Sequence, residues 1–145
     1  MDFMTAFDIG ASALSAERTN MNIISMNLAN VKTTRTAEGG PYRRKSVTLS
    51  ATSVDSPFSK AMRSSLDQDL KGVRVLDIAT DTRPFKRVYE PGHPDADEEG
   101  YVSYPDINVV EEMTNMLTTM RSYEASVASI DSIKNMFNKA LELGR

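Results

Sequence analysis

The sequence predicts an α+β fold: long N- and C-terminal helices forming an intermolecular coiled-coil layer, with a small middle β module and a long loop. Three observations carry that prediction. Most large apolar residues of the 145-residue chain lie before residue 32 or after residue 106. Within those two ends they recur at helical spacing, and between them short alternating segments are separated by polar stretches. The organisation that follows is an N-terminal helical segment over 1–34, a middle β module over 35–106 with a polar loop over 50–71, and a C-terminal helical segment over 107–145.

The first helix is expected from Phe7 to Val31. Phe7, Leu14, Met21 and Leu28 stand at sevenfold spacing, with Gly10, Glu17, Ile24 and Val31 between them. The first half of this stripe is weak, and the small residues Ala11, Ser12, Ala13, Ser15 and Ala16 around it leave room for a second helix to approach. Asn30 marks the end, because the β-branched Thr33, Thr34 and Thr36 continue a helix poorly and Gly39-Gly40-Pro41 make a turn.

In the middle, residues 42–49, 72–78 and 84–89 read as strands, the last expected to pair with the second. The serine-rich stretch between the first two reads as a long loop. A second helix is expected from Asn108 to Leu141. Steps of four and three from Val109 give Met113, Met116, Met120, Tyr123, Val127, Ile130, Lys134, Phe137 and Leu141, of which only Lys134 is neither apolar nor aromatic. Asn108 followed by Glu111 suggests a capping box, Pro105 a break before it and Gly144 a stop after it. A helix over about 107–142 is roughly 54 Å long at 1.5 Å per residue.

Composition excludes several function classes. A formal charge of −3 and a pI near 5.2 give no global positive field to draw a polyanion, so no nucleic-acid partner is expected. Zero cysteines exclude disulfides, thiolate nucleophiles and zinc–thiolate sites. The N-terminus lacks a basic n-region and is broken by Asp2 and Asp8, so no secretory signal is expected, and no run of about 18 apolar residues predicts direct membrane insertion. Synthesis in the cytoplasm follows, with a different export route for any role outside it.

Chemistry-bearing residues are few. The one histidine, His93, lies in Pro-Gly-His-Pro and reads as a turn residue, not a general base, so the chain is expected not to be an enzyme. No catalytic residue, cofactor or metal site is predicted. The strongest contrary pattern is DADEEGYVSYPD over 95–106, where Asp95, Asp97, Glu99, Gly100 and Asp106 fall at positions 1, 3, 5, 6 and 12 of an EF-hand-like loop. It raises an alternative, a calcium-responsive coiled-coil adaptor. Pro94, Pro105 and the lack of a preceding helix favour a solvated acidic turn instead. The basic groups Arg43-Arg44-Lys45 and Arg83, Lys86 and Arg87 are expected to pair with acidic neighbours such as that turn, in the same chain or another copy.

One antiparallel hairpin of two such helices leaves a large apolar face in water, and a patch of that kind signals association. Seven of the nine methionines are non-initiator residues of the two ends, which suits packing against non-identical neighbours. The expected subunit-interface residues are Leu14, Met21, Ile24 and Leu28 on the first helix, and Val109, Met113, Met116, Met120, Tyr123, Val127, Ile130, Phe137 and Leu141 on the second. Asn27 and Asn30 are expected to set register and helix termination, with Asn20 and Asn27 bonding across subunits. A single-chain adaptor whose asparagines face solvent is the other reading.

The segment ALSAERTNMNIISMNLANVKT, with Asn27-Leu28-Ala29-Asn30 and Thr33 at its core, resembles the N-terminal motif of bacterial flagellar axial proteins. RTAEGGPYRRK, VYEPGHPDADEEGYVSYPDINVVEEM and MRSYEASVASIDSIKNMFNKALELGR are similar to the C-type proximal rod subunits within that family. Met26 stands where these proteins often carry serine. The resemblance implies a structural subunit of the basal-body rod in the periplasmic space, exported by the flagellar type III apparatus without a cleaved signal. It implies assembly with copies of itself, other rod proteins, the membrane-ring protein and a rod-base adaptor into a torque-transmitting shaft, and terminal helices, often disordered in free subunits, that fold together on assembly.

Overall fold

A computed structural model describes residues 3–53 and 70–144. Its elements are α1 (Phe3–Ala29), β1 (Lys45–Ser53), β2 (Lys71–Thr80), β3 (Lys86–Tyr89), β4 (Tyr101–Tyr104) and α2 (Val109–Leu143). The first helix begins four residues before the expected Phe7. No proline interrupts it, and alanines recur along its length, so nothing in the sequence opposes an earlier start. At its end Asn30 donates to the Met26 carbonyl from both its backbone N–H at 3.1 Å and its side-chain amide at 2.8 Å, and its side-chain oxygen accepts from the Thr33 hydroxyl at 3.1 Å.

The chain then reverses. Thr36 N–H donates to the Gly40 carbonyl at 2.9 Å and Tyr42 N–H to the Thr33 carbonyl at 3.1 Å. Gly39 and Gly40 take φ of 88° and 75°, a left-handed pair that residues with a Cβ adopt only under strain. This turn carries Tyr42 back beneath the end of α1, where it is buried.

Among the described residues the β part is two separate antiparallel hairpins instead of one sheet. β1 pairs with β2 from Lys45 opposite Thr80 to Ser53 opposite Lys71, with a bulge that inserts Leu76 between the Thr48–Asp77 and Leu49–Val75 pairs. Both strands extend into the stretch expected as loop over 50–71; its remainder, 54–69, lies outside the described residues. The hairpin lies on α1, held there by the Val73 N–H, which donates to the Ser12 hydroxyl at 3.0 Å.

The expected pairing of 84–89 with 72–78 is corrected: β3 pairs instead with β4, whose residues fall inside the acidic stretch read as a turn. Local chemistry explains the difference. Asp81 accepts from the Arg83 backbone at 2.9 Å and its side chain at 2.7 Å, which turns the chain before β3. Asp97 then caps a tight return in which Gly100, at φ 83°, passes so close to Tyr89 that a Cβ there would lie 2.9 Å from its ring. Fully buried Val102 and buried Pro105 anchor β4.

α2 starts at its expected cap. The Asn108 side chain accepts from Val110 N–H at 3.1 Å and Glu111 N–H at 3.4 Å. The helix spans 35 residues and ends at Leu143; Gly144 follows with φ −85°, so the stop occurs without a left-handed turn. α2 returns antiparallel along α1: Phe3 meets Phe137 edge-on at 5.3 Å between ring centroids, and Asn27 meets Glu112 at the far end. No helix among the described residues is long and apolar enough to cross a membrane.

Candidate assembly surface

Beneath the end of α1 the two helices and the first hairpin are tied by a polar cluster. Asn27, 1% exposed, donates from its amide nitrogen to the Lys45 carbonyl at 2.8 Å and to Glu112 Oε2 at 3.1 Å. Its oxygen accepts from Lys45 N–H at 2.9 Å and the Tyr42 hydroxyl at 3.1 Å. The opposite oxygen of Glu112, also 1% exposed, accepts from Arg44 Nε at 2.7 Å and its terminal nitrogen at 2.6 Å. Burial and the Glu112 charge hold the Tyr42 hydroxyl above its usual range. Among the described residues no buried side-chain polar atom lacks a partner. A buried carboxylate is tolerated here because a guanidinium binds one of its oxygens and an amide the other.

This arrangement corrects one expectation. The sequence places bonds between subunits on Asn27, yet in the folded chain all four of its hydrogen-bonding positions are filled from within. Asn20 likewise donates to Thr119 across the helix pair at 3.2 Å. Neither faces solvent as the adaptor reading required. Tyr42, Arg44 and Glu112 were missed as a group because nothing local marks them: Glu112 meets Arg44 and Asn27 across 68 and 85 residues of chain.

The expected apolar stripe of α2 divides between two faces. Toward α1 run Glu112, Met116, Thr119, Tyr123, Ser126, Ile130 and Ile133, all buried or half-buried. The helices approach closely where Gly10 meets Ile130, since a Cβ on Gly10 would lie 2.7 Å from Ile130 Cγ1. Leu14, Met21 and Leu28 of α1 are half-buried and Ile24 is buried in the folded chain, while Asn30 closes the helix end. Phe137 contacts Phe3 but stays 40% exposed.

On the other face Val109, Met113, Met120, Val127 and Leu141 are exposed. Val110 and Leu117, absent from the expected set, join them at 73% and 58% exposure. Their signal was a second four-three repeat running beside the first, through 110, 113, 117 and 120. Hydroxyls along α2 are already satisfied by its own carbonyls: Thr114, Thr118, Ser126, Ser129 and Ser132 each donate four residues back. Such a helix needs no water for those groups and tolerates burial against a neighbour.

The acidic turn is occupied by its own contacts. Asp97 accepts from the backbone N–H of Tyr101 at 2.8 Å and of Glu99 at 3.0 Å, and from Arg87. Those bonds, the Tyr101 N–H first, hold its carboxyl below the usual aspartate range. Asp95 accepts from the Thr34 hydroxyl at 2.8 Å. Residues 101–104, inside the EF-hand-like pattern, are the strand β4. No group of metal-ligating side chains converges among the described residues. Of the basic groups, Arg44 pairs with Glu112, Arg83 with Asp81 and Asp106, and Arg87 with Asp97 and Glu99, whereas Arg43 donates to the Asp81 and Arg83 carbonyls and lies over the Phe85 ring. His93 sits in its turn, its N–H donating to the Glu90 carbonyl at 3.1 Å.

Known proteins resemble this chain in sequence. Residues 7–35 match the flagella basal body rod protein family, and residues 98–143 match the C-terminal family of flagellar basal body rod FlgEFG proteins. The chain is 40% identical to the flagellar basal-body rod protein FlgC of Borreliella burgdorferi, covering 99% of this chain and 98% of that one. It is 41% identical to that of Bacillus subtilis, over 98% of this chain and 100% of that one. Against that of Salmonella typhimurium it is 37% identical over 100% of both.

Proposed function

Because this chain belongs to the FlgC family of flagellar basal-body rod proteins, and is a structural subunit of that rod, we propose that it occupies the proximal rod and joins neighbouring subunits through its terminal helices. One observation supports this most directly: the folded chain leaves Val110, Met113, Leu117 and Met120 exposed on one side of α2. Exposed apolar surface of this extent favours burial against a partner. The partners are other copies of the chain and other axial proteins, with the membrane-ring protein and a rod-base adaptor at the rod's base.

In this reading the residues expected at the interface have two tasks. Leu14, Met21, Ile24, Leu28, Met116, Tyr123, Ile130 and Phe137 hold α1 and α2 together, and Val109, Met113, Met120, Val127 and Leu141 meet the neighbour. The cluster around Asn27 joins the helix pair to the outer hairpin, so that load on one passes to the other. Export through the flagellar type III apparatus without signal cleavage, to a site of assembly in the periplasmic space, completes the proposal. Met120→Asp tests it. The charge sits on the exposed face, so cellular protein level should hold while incorporation into the rod is lost; normal motility with that variant as the sole copy refutes the assignment.

A further inference from the structure

The exposed face of α2 has a regular spacing: Val110, Met113, Leu117, Met120, Glu124 and Val127 follow steps of three and four, and each is exposed. The exposed side of α1 has the same spacing and is mostly small: Ala11, Ser15, Ser25 and Ala29, with Asn22 and Arg18 between them. A ridge of large side chains packs closely against a helix of small ones. Each face also carries charges: Asp8 continues the α1 row, and Asp131 and then Lys134 continue the α2 row. Among the described residues no ion pair engages Asp8, Arg18, Glu124 or Lys134.

Direction and register then follow from one another. Within the chain α1 and α2 are antiparallel, and copies related by rotation about one axis point each α1 the same way. So α2 of one copy meets α1 of the next antiparallel. In that orientation, placing Arg18 opposite Glu124 also places Asp8 opposite Lys134. The same register sets Leu117 over Ser25, Met120 over Asn22 and Val127 over Ser15. Two charge pairs and the size complementarity thus select a single alignment.

We infer that residues 113–134 of α2 dock on residues 8–29 of α1 in a second copy of this chain, with Arg18–Glu124 and Asp8–Lys134 fixing the register. The inference rests on the reading of the chain as a rod subunit. The contact is heterologous, each copy offering one face to each neighbour, so it propagates into a ring or a helical array instead of closing into a two-fold dimer.

Charge exchange tests it in cells lacking the native chain. Arg18→Glu and Glu124→Arg, each alone, should lower rod-incorporated protein by about tenfold or more, and the variant carrying both should recover most of it. Single variants that incorporate at the native level, or a double variant no better than either, overturn the pairing. A contact measurement stands independently of folding effects. The chain has no cysteines, so Ser25→Cys in one tagged copy and Leu117→Cys in another, oxidised in isolated basal bodies, should join the two tags. Ser25→Cys with Val127→Cys is out of register and should not. Equal yields from both combinations, or linkage only to a different protein, overturn the inference. The underlying reading fails separately: it falls if cells deleted for the chain still build complete rods, whereas failed exchange and cross-linking in cells that need the chain sink the neighbour pairing alone.

Discussion

Asn27 shows how one side chain decides the geometry of a whole junction. Its amide offers two donors and two acceptor positions, and Lys45 N–H, Lys45 carbonyl, Tyr42 and Glu112 fill them. Asn27→Ala leaves the buried Glu112 carboxylate and the Lys45 amide short of partners, at a cost of about 1–3 kcal/mol for each group left unsatisfied. Urea unfolding of the full chain should show that loss, and Asn27→Asp should fare worse because it sets a second negative charge against Glu112. A midpoint unchanged by Asn27→Ala contradicts the accounting. That the residue matters was legible from an amide beside an apolar stripe; that its bonds stay within one chain was not. The partners at Lys45 and Glu112 lie 18 and 85 residues away, and only the fold brings them to it.

Between elements, contact distance and charge govern separate events. α1 and α2 touch at Gly10, where a Cβ would come 2.7 Å from Ile130 Cγ1, an atom too near a branched Cβ to swing aside. Gly10→Val should destabilise the helix pair by about 1–3 kcal/mol through overpacking. Adding Ile130→Ala should recover part of that; a double variant with strictly additive losses rules out the clash as the cause. The β3–β4 hairpin depends instead on a carboxylate. Asp97 is held below the usual aspartate range in the folded chain, so its contribution is present above the unfolded value of about 3.9 and is lost as pH falls through the lower folded value. The backbone amide resonances of Glu99 and Tyr101 should shift together in that acid range, and Asp97→Asn should remove the transition. Midpoints in the ordinary aspartate range are the contrary result. The EF-hand-like spacing concealed this hairpin, because the residues that resemble cation ligands serve as turn cap and strand.

For the whole molecule, the two faces of α2 give neighbouring positions opposite consequences. Met116 is half-buried against α1, whereas Leu117 is 58% exposed on the outer face. Met116→Asp should cost the isolated chain about 2–4 kcal/mol by placing a charge in the seam. Leu117→Asp should change its stability by less than about 0.5 kcal/mol yet sharply reduce rod incorporation. Thermal unfolding and quantitative blotting of purified basal bodies separate the two; a Leu117→Asp chain that unfolds as early as Met116→Asp removes the distinction between inner and outer faces.

The sequence by itself determined the two terminal helices, the Asn108 cap, the Gly39-Gly40 turn, the strand character of 42–49, 72–78 and 84–89, and the resemblance to flagellar axial proteins. These depend on propensity, periodicity and capping, which act over a few residues. The tertiary structure decided which face of α2 meets α1, that β3 pairs with β4, and that Asn27, Arg44 and Glu112 form one cluster. Four-three spacing is satisfied by adjacent faces of one helix, so periodicity alone cannot choose between them. The choice came from Glu112, Thr119 and Asn20, polar residues that an apolar count passes over and whose burial becomes favourable only when distant partners complete their hydrogen bonds.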